Sequence, residues 1–274
     1  MESRRQDLEK QGLRVASISY DTPAILKHFA ERKKISYPLL SDPESATIRA
    51  FGVLNESVPK GTPFHGIPHP VTFVVDPGGV IVRKYAEVDY RERQSLSGVL
   101  VRDFGVTSDA ARSEAKAKHV QVAASASAAT VVSGERISLV LDIDIPKGFH
   151  LYAPGVEGYI PVVWNMAETT MAKAKPVSYP RSRILFIQAI DEKVPVYEGR
   201  LHLVRDVTIA DDKSLRAALG EGTSLTLDGT FKYQACSDTL CYPPETVPVR
   251  WTLQLQPHDR ERVPAELRKP SGLN

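Results

Sequence analysis

Apolar and polar positions alternate with two different periods along this chain, and the change from one to the other falls near residue 108. Residues 13–20 (LRVASISY) predict a buried strand. Residues 22–34 predict a helix with Asp21 at its N-cap, Pro23 at its first position and Ile25, Leu26 and Phe29 on one face. Residues 38–40 read as a short extended piece, and residues 43–51 as a second helix opened by Asp42 and followed by Gly52. Residues 71–75 and 80–85 predict a hairpin around Asp76-Pro-Gly-Gly79, and residues 91–104 a closing helix. This order of strand, helix, strand, hairpin and helix is that of an α/β domain over residues 1–107.

Residues 108–130 are rich in Ala, Ser and Lys, hold no Phe, Trp or Tyr, and read as a linker and approach to a second domain. Beyond them the helical period nearly vanishes. Residues 136–145, 184–190, 201–209, 224–233 and 247–255 are alternating or β-branched runs separated by Gly, Pro and Asp turns. They predict a β-sandwich over residues 131–257, with a helical turn or two at 211–219. Residues 258–274, polar and containing Pro264 and Pro270, read as a frayed tail.

Composition narrows the classes. A chain of 274 residues that is 42% hydrophobic and 25% charged is globular and long enough for two cores. Its net charge of +2 is spread without a basic stripe, which argues against nucleic acid or an anionic membrane surface as a partner. No apolar run approaches the roughly 18 residues that span a bilayer. The first ten residues, MESRRQDLEK, lack the apolar stretch of a signal peptide.

The chemistry concentrates in the two cysteines, in Tyr233-Gln-Ala-Cys236-Ser-Asp-Thr-Leu-Cys241-Tyr-Pro-Pro-Glu-Thr246. A bond between them would close so short a loop that chain entropy gives it only about 2 kcal/mol. Stability alone is a poor reason to place it there. Tyr233 and Tyr242 flank the pair, and Pro243-Pro244 stiffens the backbone after it. A small staple, or two buried thiols in a reducing compartment, are the competing readings. Zinc is disfavoured because no His lies in the dozen residues after Cys241. No metal or other cofactor is expected.

Gly148-Phe-His-Leu-Tyr152, Pro195-Val-Tyr-Glu-Gly199 and the cysteine motif through Thr246 resemble the amino-terminal domain of the thiol:disulfide interchange protein DsbD, over roughly residues 115–256. The resemblance implies an immunoglobulin-like fold whose paired cysteines take electrons from a membrane-embedded thiol donor and pass them to periplasmic thioredoxin-like proteins. Cys236 and Cys241 would carry the exchange, with four residues between them where some members have five. The sequence does not decide which of the two attacks first, and Cys236 is the first choice. A cap loop covers the cysteines in that family, and residues 191–199 are its expected counterpart, with Tyr197 as the lid and Asp191 and Glu192 as acidic neighbours. Phe149 and Tyr152 would pack beside the pair, and His150 would either tune a thiol or stand as an exposed strand histidine.

Residues 15–85 resemble the redoxin family, which includes the alkyl hydroperoxide reductase and thiol-specific antioxidant (AhpC/TSA) peroxiredoxins. The resemblance is carried by SYDTPAILKHFAERKKISYPLLSDPESATIRAFGV and HPVTFVVDPGGVI. It implies a thioredoxin-like α/β fold in which Pro70 takes the place of a cis proline. Residues 1–235 contain no cysteine, so this chain shows no peroxidatic thiol. The family's reactive cysteine follows a strand that would precede residue 13, so the domain is expected to be incomplete at its N-terminus. A longer precursor would supply that strand, the cysteine and a secretion signal, and would place the protein in the periplasm or another extracytoplasmic space.

Three functions remain: a thiol:disulfide oxidoreductase acting through Cys236 and Cys241, a peroxiredoxin-like antioxidant whose cysteine lies upstream, and a docking module with a structural disulfide. The first predicts that the pair equilibrates with a thiol/disulfide buffer at a potential above about −300 mV, read by thiol labelling. A bond that stays oxidised throughout the series would make it a staple.

Overall fold

The computed structural model describes residues 2, 5–62, 64–86, 93–106, 111–187, 191–237, 239–259 and 261–268. The chain divides into two units, Met1–Leu96 with Asp259–Asn274, and Ser97–His258. In the first unit, α1 (Arg5–Lys10), β1 (Ser17–Ser19), α2 (Pro23–Lys33), β2 (Leu39–Ser41), α3 (Ala46–Ala50), β3 (Val71–Val75), β4 (Ile81–Ala86) and β5 (Arg93–Gln94) follow in order. β1 and β2 pair in parallel on either side of α2, and β3 and β4 form the expected hairpin. Asp76 closes its turn by accepting Gly79 N–H at its carbonyl and Val80 N–H at its carboxylate. The N-cap of α2 is Thr22, whose hydroxyl accepts from Ile25 N–H, while the Asp21 expected there accepts a 2.6 Å bond from the Ser19 hydroxyl instead. Asp42 does open α3, its carboxylate accepting the N–H groups of Ala46 and Ile48, each at 2.9 Å.

Among the described residues, Leu8, Ile25, Leu26, Ile48 and Val53 are the buried apolar residues of this unit. Its two sheets have two strands each, and among the described residues no strand joins them. Ile18, Leu40, Val75 and Ile81 consequently stand exposed on apolar strands. No cis peptide occurs among the described residues. Pro70 is therefore trans, a correction to its expected geometry; it enters β3 at a position where no ladder N–H is required. The segment read as a frayed tail is also tied down, because Arg32 on α2 pairs with Asp259 at 2.6 Å and with Glu261 at 2.8 Å.

The second unit contains α4 (Leu96–Phe104), β6 (Ser113–Ala115), β7 (Gln121–Ala126), β8 (Thr130–Val131), β9 (Glu135–Ile145), β10 (His150–Tyr152), β11 (Val163–Met166), β12 (Ala172–Ser178), β13 (Arg183–Ile187), β14 (Glu192–Tyr197), β15 (Gly199–Ile209), α5 (Asp212–Leu219), β16 (Ser224–Tyr233), β17 (Ala235–Cys236) and β18 (Glu245–Leu255). One sheet runs β12-β15-β9-β7-β6, and a facing one β11-β16-β18-β8. Leu139, Leu141 and Ile143 of β9 meet Leu225, Leu227, Val249, Trp251 and Leu253 of the facing sheet in a single core. Trp164 and Trp251 stack there with centroids 5.4 Å apart, and the Trp251 indole N–H donates to Ser125 O at 2.8 Å. A third sheet, β13-β14-β10-β17, contributes Leu151, Tyr197 and Ala235 to the same core. The result is the all-β immunoglobulin-like fold expected of this half.

Two boundaries differ from the sequence reading. Residues 108–130 are more than a linker, since Val120, Val122, Ala124 and Ala126 point alternately into the core. Small alanines conceal that strand because composition, rather than period, dominates a short Ala/Ser run. The helix expected to close the first domain belongs to the second unit from Ser97 onward. Its Val101 packs on Val140 and Val204 on the outer face of β9 and β15. Arg102 there pairs with Asp206, which also accepts from the Ser138 hydroxyl at 2.7 Å. Leu100, fully buried, anchors the same helix. Leu100→Ala is expected to lower the unfolding free energy by about 2–5 kcal/mol in urea titration.

Candidate redox-active site

β16 belongs to the sandwich through its pairing with β18, and after Gln234 the chain steps into β17, which joins the third sheet. This step carries Cys236 onto the outer face of that sheet while its neighbour Ala235 stays in the core. Gly148, with φ of 86°, makes the turn that starts β10. β10 then lies between β14 and β17, with His150 opposite Cys236, Leu151 opposite Tyr197 and Ala235, and Tyr152 opposite Val196. Directly opposed residues share a face. His150, Tyr152, Val196 and Cys236 thus line the outer face, and Leu151 and Tyr197 the inner one.

Cys236 and Cys241 form a disulfide with a Cα–Cα distance of 4.0 Å. The loop between them is held by Ser237, whose N–H donates to Leu240 O at 2.8 Å and whose hydroxyl accepts from Leu240 N–H at 3.1 Å. Tyr242 N–H donates to Ala235 O at 2.9 Å and fixes the chain just after Cys241. The two sulfurs inhabit different surroundings. Cys236 is 0% exposed, packed with Tyr152, Val194 and Val196 under a partial cover of Val156, Tyr159 and Leu185. Cys241 is an exposed residue, next to a Leu240 that is 54% exposed.

Polar groups reach the bond from one side. The Tyr152 hydroxyl lies 3.7 Å from Cys241 Sγ. Its ring packs on Tyr159 at 4.4 Å, and the Tyr159 hydroxyl donates to Glu192 at 2.5 Å. Burial, with a smaller contribution from the Glu192 charge, pushes the Tyr152 phenol above its ordinary value. The hydrogen bond to Glu192 is the main reason the Tyr159 phenol is pushed up to about 12. On the other side Tyr242 stacks on His119 at 3.9 Å and lies 5.9 Å from Phe149, a three-ring wall beside the loop. Tyr233, further back, donates to Lys118 O and to Glu245, and its phenol is raised by burial and that carboxylate.

Of the residues singled out in the sequence, Tyr152, Phe149, His150, Glu192 and Tyr242 gather around the pair. Tyr197 does not: it is buried on the core face of β14 and donates to Pro180 O at 3.0 Å. Residues 192–197 form a paired strand rather than a loop, so the lid role falls away from them. Asp191 is the turn residue just before β14, with φ of 54°, and residues 188–190 of the adjoining expected strand lie outside the described residues. His150 is 3% exposed, which corrects its reading as an exposed strand histidine. Tyr159, Val194 and His119 were not found from sequence. The 33 positions separating Tyr159 from Glu192 give no local signal, and His119 sits in a stretch read as a linker.

A cysteine pair joined in this way on an immunoglobulin-like domain is suited to thiol–disulfide exchange. Residues 117–252 match the family described as "Thiol:disulfide interchange protein DsbD, N-terminal", and residues 1–84 match the AhpC/TSA family. The chain therefore joins a thioredoxin-like redoxin segment to a DsbD N-terminal domain. Over 75 residues it is 37% identical to peroxiredoxin Bcp of Escherichia coli K12, covering 27% of this chain and 47% of that protein. The chain spans about half the length of the curated relatives it matches. Among solved structures, the N-terminal periplasmic domain of ScsB from Proteus mirabilis aligns at 14% identity over 53% of this chain and 51% of that one, with a TM-score of 0.37. The N-terminal domain of Neisseria meningitidis DsbD in the reduced form aligns at 14% identity over 43% and 82%, with a TM-score of 0.28.

The Tyr159–Glu192 contact gives a titration prediction. A phenol raised from its ordinary value of 10 to about 12 contributes stability that is fully present below pH 10 and is lost as pH rises through 12. Glu192→Gln is expected to move one tyrosine ionisation back toward 10, read by ultraviolet difference absorbance.

Proposed function

We propose that the second unit is a thiol:disulfide oxidoreductase module that relays reducing equivalents through Cys236 and Cys241. The observation that carries this reading is the unequal burial of the two ends of one bond: Cys241 exposed, Cys236 wholly enclosed. A partner thiolate arriving from solvent meets Cys241 first. Its attack forms a mixed disulfide at that sulfur and releases Cys236 with the electron pair of the broken bond. A second thiol on the partner then displaces Cys241, so that the partner leaves oxidised and this pair is left as a dithiol. In the opposite direction the dithiol reduces a disulfide on the next protein. The family match supports a thioredoxin-like protein, or a membrane-embedded thiol donor, as the partner at each step. Such a pair is useful only where disulfides persist, which favours a periplasmic or other extracytoplasmic setting.

A second reading is favoured by the AhpC/TSA match of residues 1–84. There the protein is a peroxiredoxin-like antioxidant, and it requires a thiol that residues 1–235 do not contain, so it describes a longer protein. The two readings are compatible, since a hydroperoxide-reducing thiol needs an electron source.

Trapping separates exchange from a structural staple. Cys236→Ala leaves Cys241 without its resolving partner and is expected to accumulate a mixed disulfide with a thioredoxin-like protein on non-reducing gels. Cys241→Ala, which leaves only the enclosed sulfur, is expected to trap at least about tenfold less. Equal trapping by both, or by neither, would defeat the proposed order of attack.

A further inference from the structure

His150 has no part in the exchange as written so far, yet it occupies the place where that exchange creates its hardest problem. When the Cys236–Cys241 bond breaks, the electron pair goes to Cys236 Sγ, on a residue with no solvent exposure and with Val194, Val196 and the Tyr152 ring around it. A thiolate in such enclosed, apolar surroundings is disfavoured. His150 is the residue directly opposite Cys236 in the β10–β17 pair, on the same face and itself 3% exposed. Its ring stands edge-on to Tyr152 at 5.4 Å, the tyrosine whose hydroxyl reaches Cys241 Sγ. Opposed side chains in an antiparallel pair have Cβ atoms about 4.5–5.5 Å apart, within reach of an imidazole and a sulfur.

We propose that His150 is the proton-exchanging group for Cys236, an inference that rests on the exchange reading above. In the reductive direction the partner thiolate bonds to Cys241 Sγ, the Cys236–Cys241 bond breaks, and the Cys236 thiolate formed takes a proton from the His150 imidazolium, leaving neutral imidazole. In the other direction Cys241 has attacked a substrate disulfide. Neutral His150 then takes the proton of the Cys236 thiol as that sulfur displaces the substrate from Cys241, and the substrate leaves as a thiolate. No external oxidant or reductant beyond the partner dithiol or disulfide is involved. Among the described residues, the titratable groups on the strands beside His150 are Tyr152 on its own strand, Cys236 on β17, and Glu198 just past the end of β14, whose carboxylate is held by Arg183 at 2.6 Å. The division of labour is then one tyrosine for the exposed sulfur and one histidine for the buried one.

The test uses the full chain and dithiothreitol as the thiol probe, with rate constants for reduction measured from pH 5 to 9. His150→Gln is expected to slow reduction at pH 7 by roughly 100-fold, as for loss of a positioned acid–base group, and to erase the limb of the pH profile that titrates in the histidine range. A variant within twofold of the parent at every pH would overturn the proposal. Should that variant fail to fold, the imidazole of His150 is titrated by NMR in the unaltered protein, oxidised and reduced. An apparent pKa at least one unit higher in the reduced form supports the pairing, and identical values refute it. Failure of the exchange reading itself looks different: the unaltered protein would then form no mixed disulfide with a thioredoxin-like protein, whatever the NMR shows.

Discussion

The three-residue strand β10 is the constraint on which the redox half of this protein depends. It is bonded on one side to β14 and on the other to β17, so its backbone fixes where Cys236 can be. Its central residue, Leu151, is locked in the sandwich core, and the two flanking residues, His150 and Tyr152, are forced by the pleat onto the opposite face. The chemistry therefore sits on a surface whose geometry is set by the core beneath it. The second cysteine is held differently, on an exposed loop tied by Ser237 and by the Tyr242 N–H bond to Ala235 O.

That asymmetry explains why a bond of low entropic value is present. A disulfide that stapled the sandwich would link strands distant in sequence and close a long loop. This one spans five positions and bridges two ends of one turn. Breaking it removes no contact between the sandwich sheets, whose core is built from Trp164, Trp251 and the aliphatic residues of β9, β15, β16 and β18. The sandwich core can therefore persist whether this bond is closed or open.

Much of this was legible in the sequence, for a reason that differs by element. β9, β16 and β18 alternate strictly or carry long β-branched runs, so their limits were found within a residue or two. β7 was hidden because Ala and Ser fill both its faces, and α4 was placed in the wrong unit because its apolar residues do not say which sheet they cover. In the site, the cysteines, Tyr152 and Tyr242 were marked by proximity in sequence and by family resemblance. Tyr197 was misread because resemblance supplied a segment without a register: Val196 faces the cysteines and Tyr197, one position on, faces the core. Tyr159, in the loop between β10 and β11, and Glu192, on β14, meet only in the folded chain.

The register of β10 has a further consequence for how the protein reaches its native state. Cys236 and Cys241 are close enough along the chain to join before any sheet exists, so oxidation conveys no information about strand pairing. A slip of one residue in β10 would bury His150 and Tyr152 in the core and expel Leu151, while leaving the same two sulfurs joined. Fidelity must come from Leu151, Tyr197 and Ala235 finding the apolar interior. An intact disulfide is thus no certificate of correct folding in this protein, and a preparation fully oxidised by thiol assay can still contain misregistered, inactive molecules.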